Sequence, residues 1–215
     1  MINSYKINKS GTIITVQDFL TKSYDLSTIE KDWWYVALND YEGVLHLRDI
    51  EENLTEIKEK SLKVVNTFNA GHYSYCFKRT VDNHYDTCIC QICEITKFFR
   101  SDEMISELSK IVDEDVTEIN ETFCSKYETG DFLSLHHDKK KGDYAFIYQL
   151  TKDWNPCHGA TLQFWDSDTK KLNAIYPEYN SLTIFKLKDI ENTEHFVSMN
   201  VCTKPRFAFS GWFTC

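Results

Sequence analysis

The pattern of hydrophobic and polar positions divides the chain into a mixed first half and a strand-rich second half. From Val116 onward, short runs rich in aromatic and branched residues are separated by polar turns. These runs are 123–127, 132–137, 144–150, 160–165, 174–176, 181–187, 196–201 and 206–213. Short strands at this spacing are typical of a jelly roll or a closed barrel. The second half is therefore predicted to form a β-core.

The first half combines strands with helices. Strands are predicted over 12–16 and 70–80, and the runs 33–38 and 44–48 favour a hairpin. Apolar residues at helical spacing predict a surface helix over 49–64 with Asp49 as its cap, and a shorter helix is predicted over 17–22. The clearest helix signal is 101–111, where Ser101 precedes early acids and a set of apolar residues. These helices are predicted to pack against the outside of the β-core.

Length and composition restrict the class of protein. The 215 residues, 42% of them hydrophobic, fit a single domain over 1–215, with 1–115 as a helical and strand extension and 116–215 as the core. A formal net charge of -9 argues against a nucleic-acid partner, because such a partner requires a basic face. No apolar run reaches the roughly 18 residues of a membrane span, and the first residues lack the apolar segment of a signal peptide. A cytoplasmic protein without a membrane partner is expected.

Two histidines and one aspartate are the candidate metal ligands. Successive side chains of a strand face opposite sides, so His136 and Asp138 are predicted to share a face that excludes His137. His195 lies just before the run 196–201 and can supply the third ligand. This set forms a facial triad, which leaves open positions on Fe(II) for a co-substrate and oxygen. Zinc accepts the same ligand types and is the alternative metal.

Arg206 begins the strongly apolar run 206–213 and bears on the choice of metal. A guanidinium inside a hydrophobic barrel is costly unless it is paired with an anion. The adjacent run offers no obvious acidic partner. A bound dicarboxylate, which can pair with a guanidinium in bidentate geometry, is therefore a natural candidate.

Several motifs whose order and spacing agree resemble the iron(II)/2-oxoglutarate-dependent dioxygenases, most closely the prolyl hydroxylase branch. The motifs are Tyr127-x-x-Gly130-Asp-Phe-Leu-x-x-His136-x-Asp138, Ile147-Tyr-Gln-Leu-Thr-Lys-Asp-Trp154, Gly159-Ala-Thr-Leu162, Tyr176-Pro-Glu-Tyr-Asn180-Ser-Leu-Thr-Ile-Phe185, His195-Phe-Val and Arg206-Phe-Ala-Phe-Ser-Gly-Trp-Phe213. The resemblance runs from about residue 122 to the C-terminus, which is under half of the chain.

The resemblance implies an α+β, mainly β fold whose core is a double-stranded β-helix of the cupin or jelly-roll type. It implies that His136, Asp138 and His195 hold Fe(II) and that Arg206 binds the distal carboxylate of 2-oxoglutarate. Tyr127 matches the family tyrosine that lines the co-substrate pocket.

Two positions depart from the family pattern beside that pocket. Ala208 stands where the family often has a serine, and Gln149 stands where many members have a second tyrosine that contacts the co-substrate. Gln149 is therefore expected to contact the co-substrate in its place, with different hydrogen bonding around the arginine.

The resemblance implies a hydroxylase, because related halogenases replace the carboxylate of Asp138 with a small residue. The implied reaction consumes O2, converts 2-oxoglutarate to succinate and CO2, and hydroxylates a substrate C–H bond, with ascorbate as an accessory reductant. A prolyl or other peptidyl side chain is the expected substrate, and a free amino acid or small metabolite is the main alternative. A non-catalytic metal-binding cupin that acts as a binding or sensor protein and a zinc hydrolase are the further alternatives.

A second cluster of ligand-type residues is His84, Cys88, Cys90 and Cys93. One imidazole and three thiols can hold structural zinc in tetrahedral geometry. The spacing is compressed for a zinc knuckle, so reduced thiols on a strand or loop are the default prediction and zinc is the alternative.

Overall fold

The computed structural model describes residues 2–80, 88–188 and 193–215. The helices within these ranges are α1 (Leu54–Asn69), α2 (Gln91–Phe99) and α3 (Asp102–Val112). The strands are β1 (Lys6–Ser10), β2 (Ile13–Gln17), β3 (Tyr35–Asp40), β4 (Gly43–Leu47), β5 (Tyr75–Arg79), β6 (Glu118–Tyr127), β7 (Phe132–His136), β8 (Tyr144–Gln149), β9 (Leu162–Asp166), β10 (Lys171–Ile175), β11 (Leu182–Lys186), β12 (His195–Val197) and β13 (Arg206–Thr214). Every strand run predicted for the second half is therefore present.

The strands form one antiparallel sheet that curls into a jelly-roll core. Their order is β1-β2-β11-β8-β13-β6-β5-β7-β12-β9-β10, with β3 and β4 joined to the side of β5. Strands β9 and β11 are far apart in this order, yet the rings of Phe164 and Phe185 meet at a centroid distance of 4.9 Å. The sheet therefore closes on itself around an interior, which confirms the predicted fold class.

The first half contributes strands to this sheet as well as cover for it. Strand β2 pairs with β11, and β5 pairs with both β6 and β7. The predicted hairpin is confirmed as β3 and β4, whereas β1 was not predicted. The division of the chain near residue 115 stays a prediction.

Helix α3 covers the outer face of the sheet, as predicted, together with α2, which was not predicted. The hydroxyl of Ser101 accepts the backbone N–H of Met104 at 3.3 Å and caps α3, which confirms the expected start of this helix. Phe99 of α2 stacks on Phe146 of β8 with a centroid distance of 5.2 Å. Both rings are fully buried in the largest apolar cluster. None of the described helices is long and apolar enough to cross a membrane.

One helix prediction in the first half is wrong and the start of another is wrong, both for local reasons. The segment 17–22 forms no helix, because the backbone N–H groups of Phe19 and Leu20 donate to Asn180 instead of to their own turn. Helix α1 begins at Leu54, after Asn53, and not at Asp49, whose backbone has a φ of 53°. An extended backbone is the usual conformation of an N-cap residue, so Asp49 is unsuited to that position.

Gly159 allows the loop before β9 to approach the segment that follows β12. Its φ is +75°, and a β-carbon built on it would overlap the backbone carbonyl of Met199. Gly159 also forms a β-bridge with Asn200. A glycine is therefore required at this position for two separate reasons. Its backbone has a positive φ, and two segments of the chain approach each other closely.

We expect Gly159→Ala to lower the free energy of unfolding by about 2–4 kcal/mol, because it adds steric overlap to backbone strain. Gly71→Ala is the matched control. Gly71 has a φ of +76° with no atom within 4 Å of an added β-carbon, so only about 1 kcal/mol should be lost there. Denaturant unfolding measures both variants, and equal losses would show that the contact with Met199 does not matter.

Candidate metal centre

Two neighbouring strands and one loop bring the three predicted metal ligands together. His136 ends β7, His195 begins β12, and the two residues are directly paired in the antiparallel register. Asp138 lies beyond the end of β7, so its position follows from the loop and not from strand alternation, contrary to the sequence argument. His137 is exposed, in agreement with its exclusion.

The ligand atoms lie at distances that suit a shared ion. The Nε2 atoms of His136 and His195 are 3.7 and 3.6 Å from the two carboxylate oxygens of Asp138. The two imidazole rings are 4.3 Å apart between centroids. One ligand atom from each of the three residues lies within 4.8 Å of the other two.

Hydrogen bonds to the backbone fix which ring nitrogen is available in each histidine. The Nδ1 atom of His136 is 2.9 Å from the carbonyl oxygen of Ser134, and that of His195 is 2.9 Å from the carbonyl oxygen of Thr193. A carbonyl can only accept, so Nδ1 carries the proton and Nε2 keeps its lone pair. Both lone pairs are then directed to the side on which Asp138 lies.

The electrostatic environment keeps these groups in the form that binds a cation. Burial, together with the neighbouring His195, lowers the pKa of His136 to about 4, so this imidazole is neutral near pH 7. Burial alone would raise the pKa of the Asp138 carboxyl, but His195, His136 and Trp212 outweigh burial and hold that pKa below its usual value. The site therefore presents a neutral imidazole at His136 and a carboxylate at Asp138.

Trp212 orients the carboxylate of Asp138 and was not predicted to do so. Its indole Nε1 donates to Oδ2 of Asp138 at 3.1 Å. Strand alternation along β13 places Trp212 on the same face as Arg206, and this signal was available in the sequence. Outer hydrogen-bond partners of this kind fix the direction of a ligating carboxylate.

Aromatic rings enclose the histidines. The ring of Tyr73 lies 5.5 Å from His136, and those of Phe185 and Phe164 lie 4.8 and 5.8 Å from His195, measured between centroids. The sequence did not predict that Tyr73, which precedes β5, contacts a ligand. These rings cover one side of the histidines and limit the access of water from that side.

Arg206 occupies the interior of the same cavity. The side chain is 1% exposed, and its guanidinium carbon lies 5.5 Å from the ring centroid of Tyr127, its partner on β6. Burial lowers the pKa of Arg206 to about 10, so the group remains charged near pH 7. Within the described parts of the chain, no acidic side chain forms an ion pair with it.

Gln149 takes the position beside Arg206 that the family pattern assigns to a tyrosine. Its Oε1 accepts a hydrogen bond from an NH2 group of Arg206 at 3.0 Å. Gln149 Nε2 and Arg206 Nε are buried and find no partner among the described residues. Two donors, one of them on a cation, are thus left for a bound anion.

One cavity of about 170 Å³ connects the two parts of the site. It is lined by the three candidate ligands, by Arg206 and Tyr127, and by aromatic side chains from the surrounding strands. Ser125 of β6 also lines the cavity and is paired with Ala208, so a hydroxyl is present across from the position where the family often has a serine. Thr183 lies on the same face of β11 as Phe185, and its buried hydroxyl finds no partner among the described residues.

Comparison with known proteins finds similarity in sequence and in fold. A family model described as the 2OG-Fe(II) oxygenase superfamily matches residues 122–214. A prolyl hydroxylase from Trichoplax adhaerens, solved with a peptide fragment of the hypoxia inducible factor oxygen degradation domain, superposes with a TM-score of 0.50 at 16% identity, over 87% of this chain and 84% of that one. An oxidoreductase of the 2OG-Fe(II) oxygenase family from Burkholderia pseudomallei gives a TM-score of 0.50 at 12% identity, over 67% and 68%. No curated protein matches the sequence significantly.

The matched segment is the β-core of this chain, and there the sequence is similar to the 2OG-Fe(II) oxygenase superfamily, whose members use 2-oxoglutarate and Fe(II). The two superpositions support the shared jelly-roll fold. The family implies Fe(II), 2-oxoglutarate and O2, and the residues present fit these groups. The donor set is two imidazoles and a carboxylate, and the unpartnered buried donors at Arg206 and Gln149 suit a carboxylate.

The second predicted cluster is brought together in part. One sulfur atom from each of Cys88, Cys90 and Cys93 lies within 4.8 Å of the other two. His84 lies outside the described residues. The default prediction of a strand or loop is wrong for Cys93, which lies in the first turn of α2, while Cys90 caps that helix.

We expect Trp212→Phe to weaken Fe(II) binding by about 10-fold, because phenylalanine keeps most of the ring but cannot donate to Asp138. Trp154→Phe is the matched control. Trp154 also donates an indole N–H at 3.1 Å, to the carbonyl of Gly159, but it does not line the cavity. Metal titration of the two folded variants measures the effect, and the same affinity in both would rule out the role assigned to Trp212.

Proposed function

We propose that this protein is an Fe(II)- and 2-oxoglutarate-dependent hydroxylase of peptidyl side chains, with a prolyl residue as the favoured target. The observation that carries the proposal is one cavity that joins a His-Asp-His group to a buried arginine, which forms no ion pair with a described acidic side chain. A purely structural metal site would not require a buried arginine in the same cavity. The family match supports the same chemistry.

In this proposal His136, Asp138 and His195 hold Fe(II). When bound, the iron supplies the activation of O2 that couples decarboxylation of 2-oxoglutarate to hydroxylation of a C–H bond. The chain's own part is to supply two Nε2 lone pairs and one carboxylate from fixed directions. The carbonyls of Ser134 and Thr193 orient the imidazoles, and Trp212 orients the carboxylate.

Arg206 binds the distal carboxylate of 2-oxoglutarate, and Gln149 supports it. The Oε1 atom of Gln149 holds the guanidinium in place, which leaves its Nε2 N–H directed to the co-substrate or a bridging water. Tyr127 forms one wall of this pocket through its contact with the guanidinium. The hydroxyl of Thr183 is a further candidate donor to the same anion.

The charge distribution around the cavity favours a peptidyl substrate over a free amino acid. Arg79 and Lys141 line the cavity, but both form ion pairs with Glu121, at 2.6 and 3.1 Å. Glu121 thus offsets one of these two positive charges and engages both side chains, which makes them less available for the carboxylate of a free amino acid. The remaining wall is rich in aromatic side chains, among them Tyr75, Phe123 and Trp212. Such a wall suits an uncharged ring such as that of a prolyl residue. The prolyl hydroxylase from Trichoplax adhaerens was itself solved with a peptide.

We expect Arg206→Gln to raise the KM for 2-oxoglutarate by about 30-fold or more, because removing one partner of a buried charged contact costs at least about 2 kcal/mol. Fe(II) affinity should change little, since Arg206 is not a proposed ligand. Arg48→Gln, at an exposed position, is the control and should leave both quantities unchanged. An unaltered KM in the Arg206 variant would show that the co-substrate binds elsewhere.

We expect purified protein with Fe(II), 2-oxoglutarate and ascorbate to release succinate in proportion to oxygen incorporated into proline-containing peptides. Mass spectrometry of the peptides and succinate assay of the same samples measure the two products. Turnover of free amino acids without turnover of peptides would replace the peptidyl substrate by a small metabolite. Stable metal binding without succinate release from any substrate would favour the binding or sensor protein. Zinc-dependent hydrolysis would favour the hydrolase.

The requirement for ascorbate and a cytoplasmic location stay predictions.

A further inference from the structure

Three cysteines lie close together at the start of α2, outside the cavity described above. The sulfur atoms of Cys88, Cys90 and Cys93 all lie within 4.8 Å of one another. None of the three forms a disulfide and none lines the cavity. Cys93 is buried, whereas Cys88 and Cys90 are partly exposed, so the group is anchored on one side and reachable from solvent on the other.

Local structure directs the sulfur atoms toward one another. Cys90 is the N-cap of α2, with an extended backbone, and its sulfur accepts the backbone N–H of Cys93 at 3.5 Å. The Nζ atom of Lys97, in the last turn of α2, donates to the carbonyl oxygen of Cys88 at 3.2 Å and ties that residue to the helix. The N-terminal end of a helix and a nearby lysine both favour negative charge on sulfur.

We propose that Cys88, Cys90 and Cys93 bind a zinc ion as thiolates, with no fourth ligand supplied by the described residues. An ion placed centrally among sulfur atoms no more than 4.8 Å apart would be at most about 2.8 Å from each. Zinc–thiolate bonds are about 2.3 Å long, so small side-chain adjustments complete the coordination. Thiolates are the usual ligands of structural zinc sites.

A divalent cation also resolves the electrostatic conflict within the cluster. Burial, together with hydrogen bonds that the Cys93 thiol donates to Cys88 and Cys90, raises the pKa of that thiol. Three crowded thiolates repel one another without a cation, and metal binding displaces their protons. Zinc binding to this cluster is therefore expected to release protons and to weaken as the pH falls.

The position of the site gives the ion a structural role. Helix α2 carries Phe98 and Phe99 into the largest apolar cluster, where Phe99 contacts Phe146 of β8 and Phe209 of β13. Strands β8 and β13 hold Gln149 and Arg206 on their opposite face. An ion bound at the first turn of α2 fixes the N-terminal end of this helix, which covers the outer face of β8 and β13.

Cobalt(II) substitution in the full chain tests the proposal separately from the His-Asp-His group. The protein carries His136→Ala and His195→Ala, which remove two imidazoles but no thiol, and is loaded with Co(II) under reducing conditions. We expect an intense sulfur-to-cobalt charge-transfer band in the near ultraviolet, abolished by an equimolar amount of zinc. Folded protein that shows no such band would overturn the proposal.

Cysteine variants assign the band to this cluster. Adding Cys90→Ser and Cys93→Ser should abolish it, whereas Cys157→Ser, at an exposed position outside the cluster, should leave it intact. A band that persists without Cys90 and Cys93 would overturn the assignment. X-ray absorption of the zinc-loaded histidine variant needs no cysteine substitution, so it decides the question even where the cysteine variants fail to fold. It should show sulfur neighbours at about 2.3 Å, and a shell of nitrogen and oxygen alone would contradict the site.

Discussion

The alternation of side chains along β13 is the constraint on which the rest of the structure depends. One face of this strand carries Arg206, Ser210 and Trp212 into the cavity, and the other carries Phe207 and Phe209 into the largest apolar cluster. Because the side-chain period of a strand is two residues, a shift of one position would exchange the two sets. The pairing of β13 with β6 on one side and β8 on the other fixes this register. The core that stabilises the fold and the site that it presents are thus specified together.

The interior contains a charge that no acidic side chain in the described ranges neutralises. Arg206 is almost fully buried and is held by one neutral amide and one aromatic ring, so its desolvation is only partly compensated by the protein. The opposite part of the cavity has two imidazoles and a carboxylate that can share a cation. Placing an unbalanced cation near a cation-binding group favours a ligand with two acidic ends. That requirement explains why an oxygenase with a dicarboxylate co-substrate fits the site better than a hydrolase.

The first half of the chain completes this interior and does not merely cover it. Strand β5 joins β6 to β7, and thereby links the strand that ends in Tyr127 to the strand that ends in His136. Tyr73, just before β5, adds the ring beside His136. On the outer face, α2 packs under the strands that hold Arg206 and Gln149, and the cysteine cluster lies where this helix begins. The active-site region therefore depends on residues far outside the matched segment of 122–214.

The sequence by itself determined the β-core, the helix α3 with its Ser101 cap, and the candidate ligands, because strand periodicity, capping and motif spacing are local signals. The tertiary structure decided what local signals do not contain. The backbone N–H groups of Phe19 and Leu20 donate to Asn180, so the helix expected there does not form. Trp212 orients Asp138 across 74 residues of sequence, and Gln149 meets Arg206 across 57. Contacts between residues this far apart in sequence arise only when the sheet closes, which is why a sequence indicates the groups but not their partners.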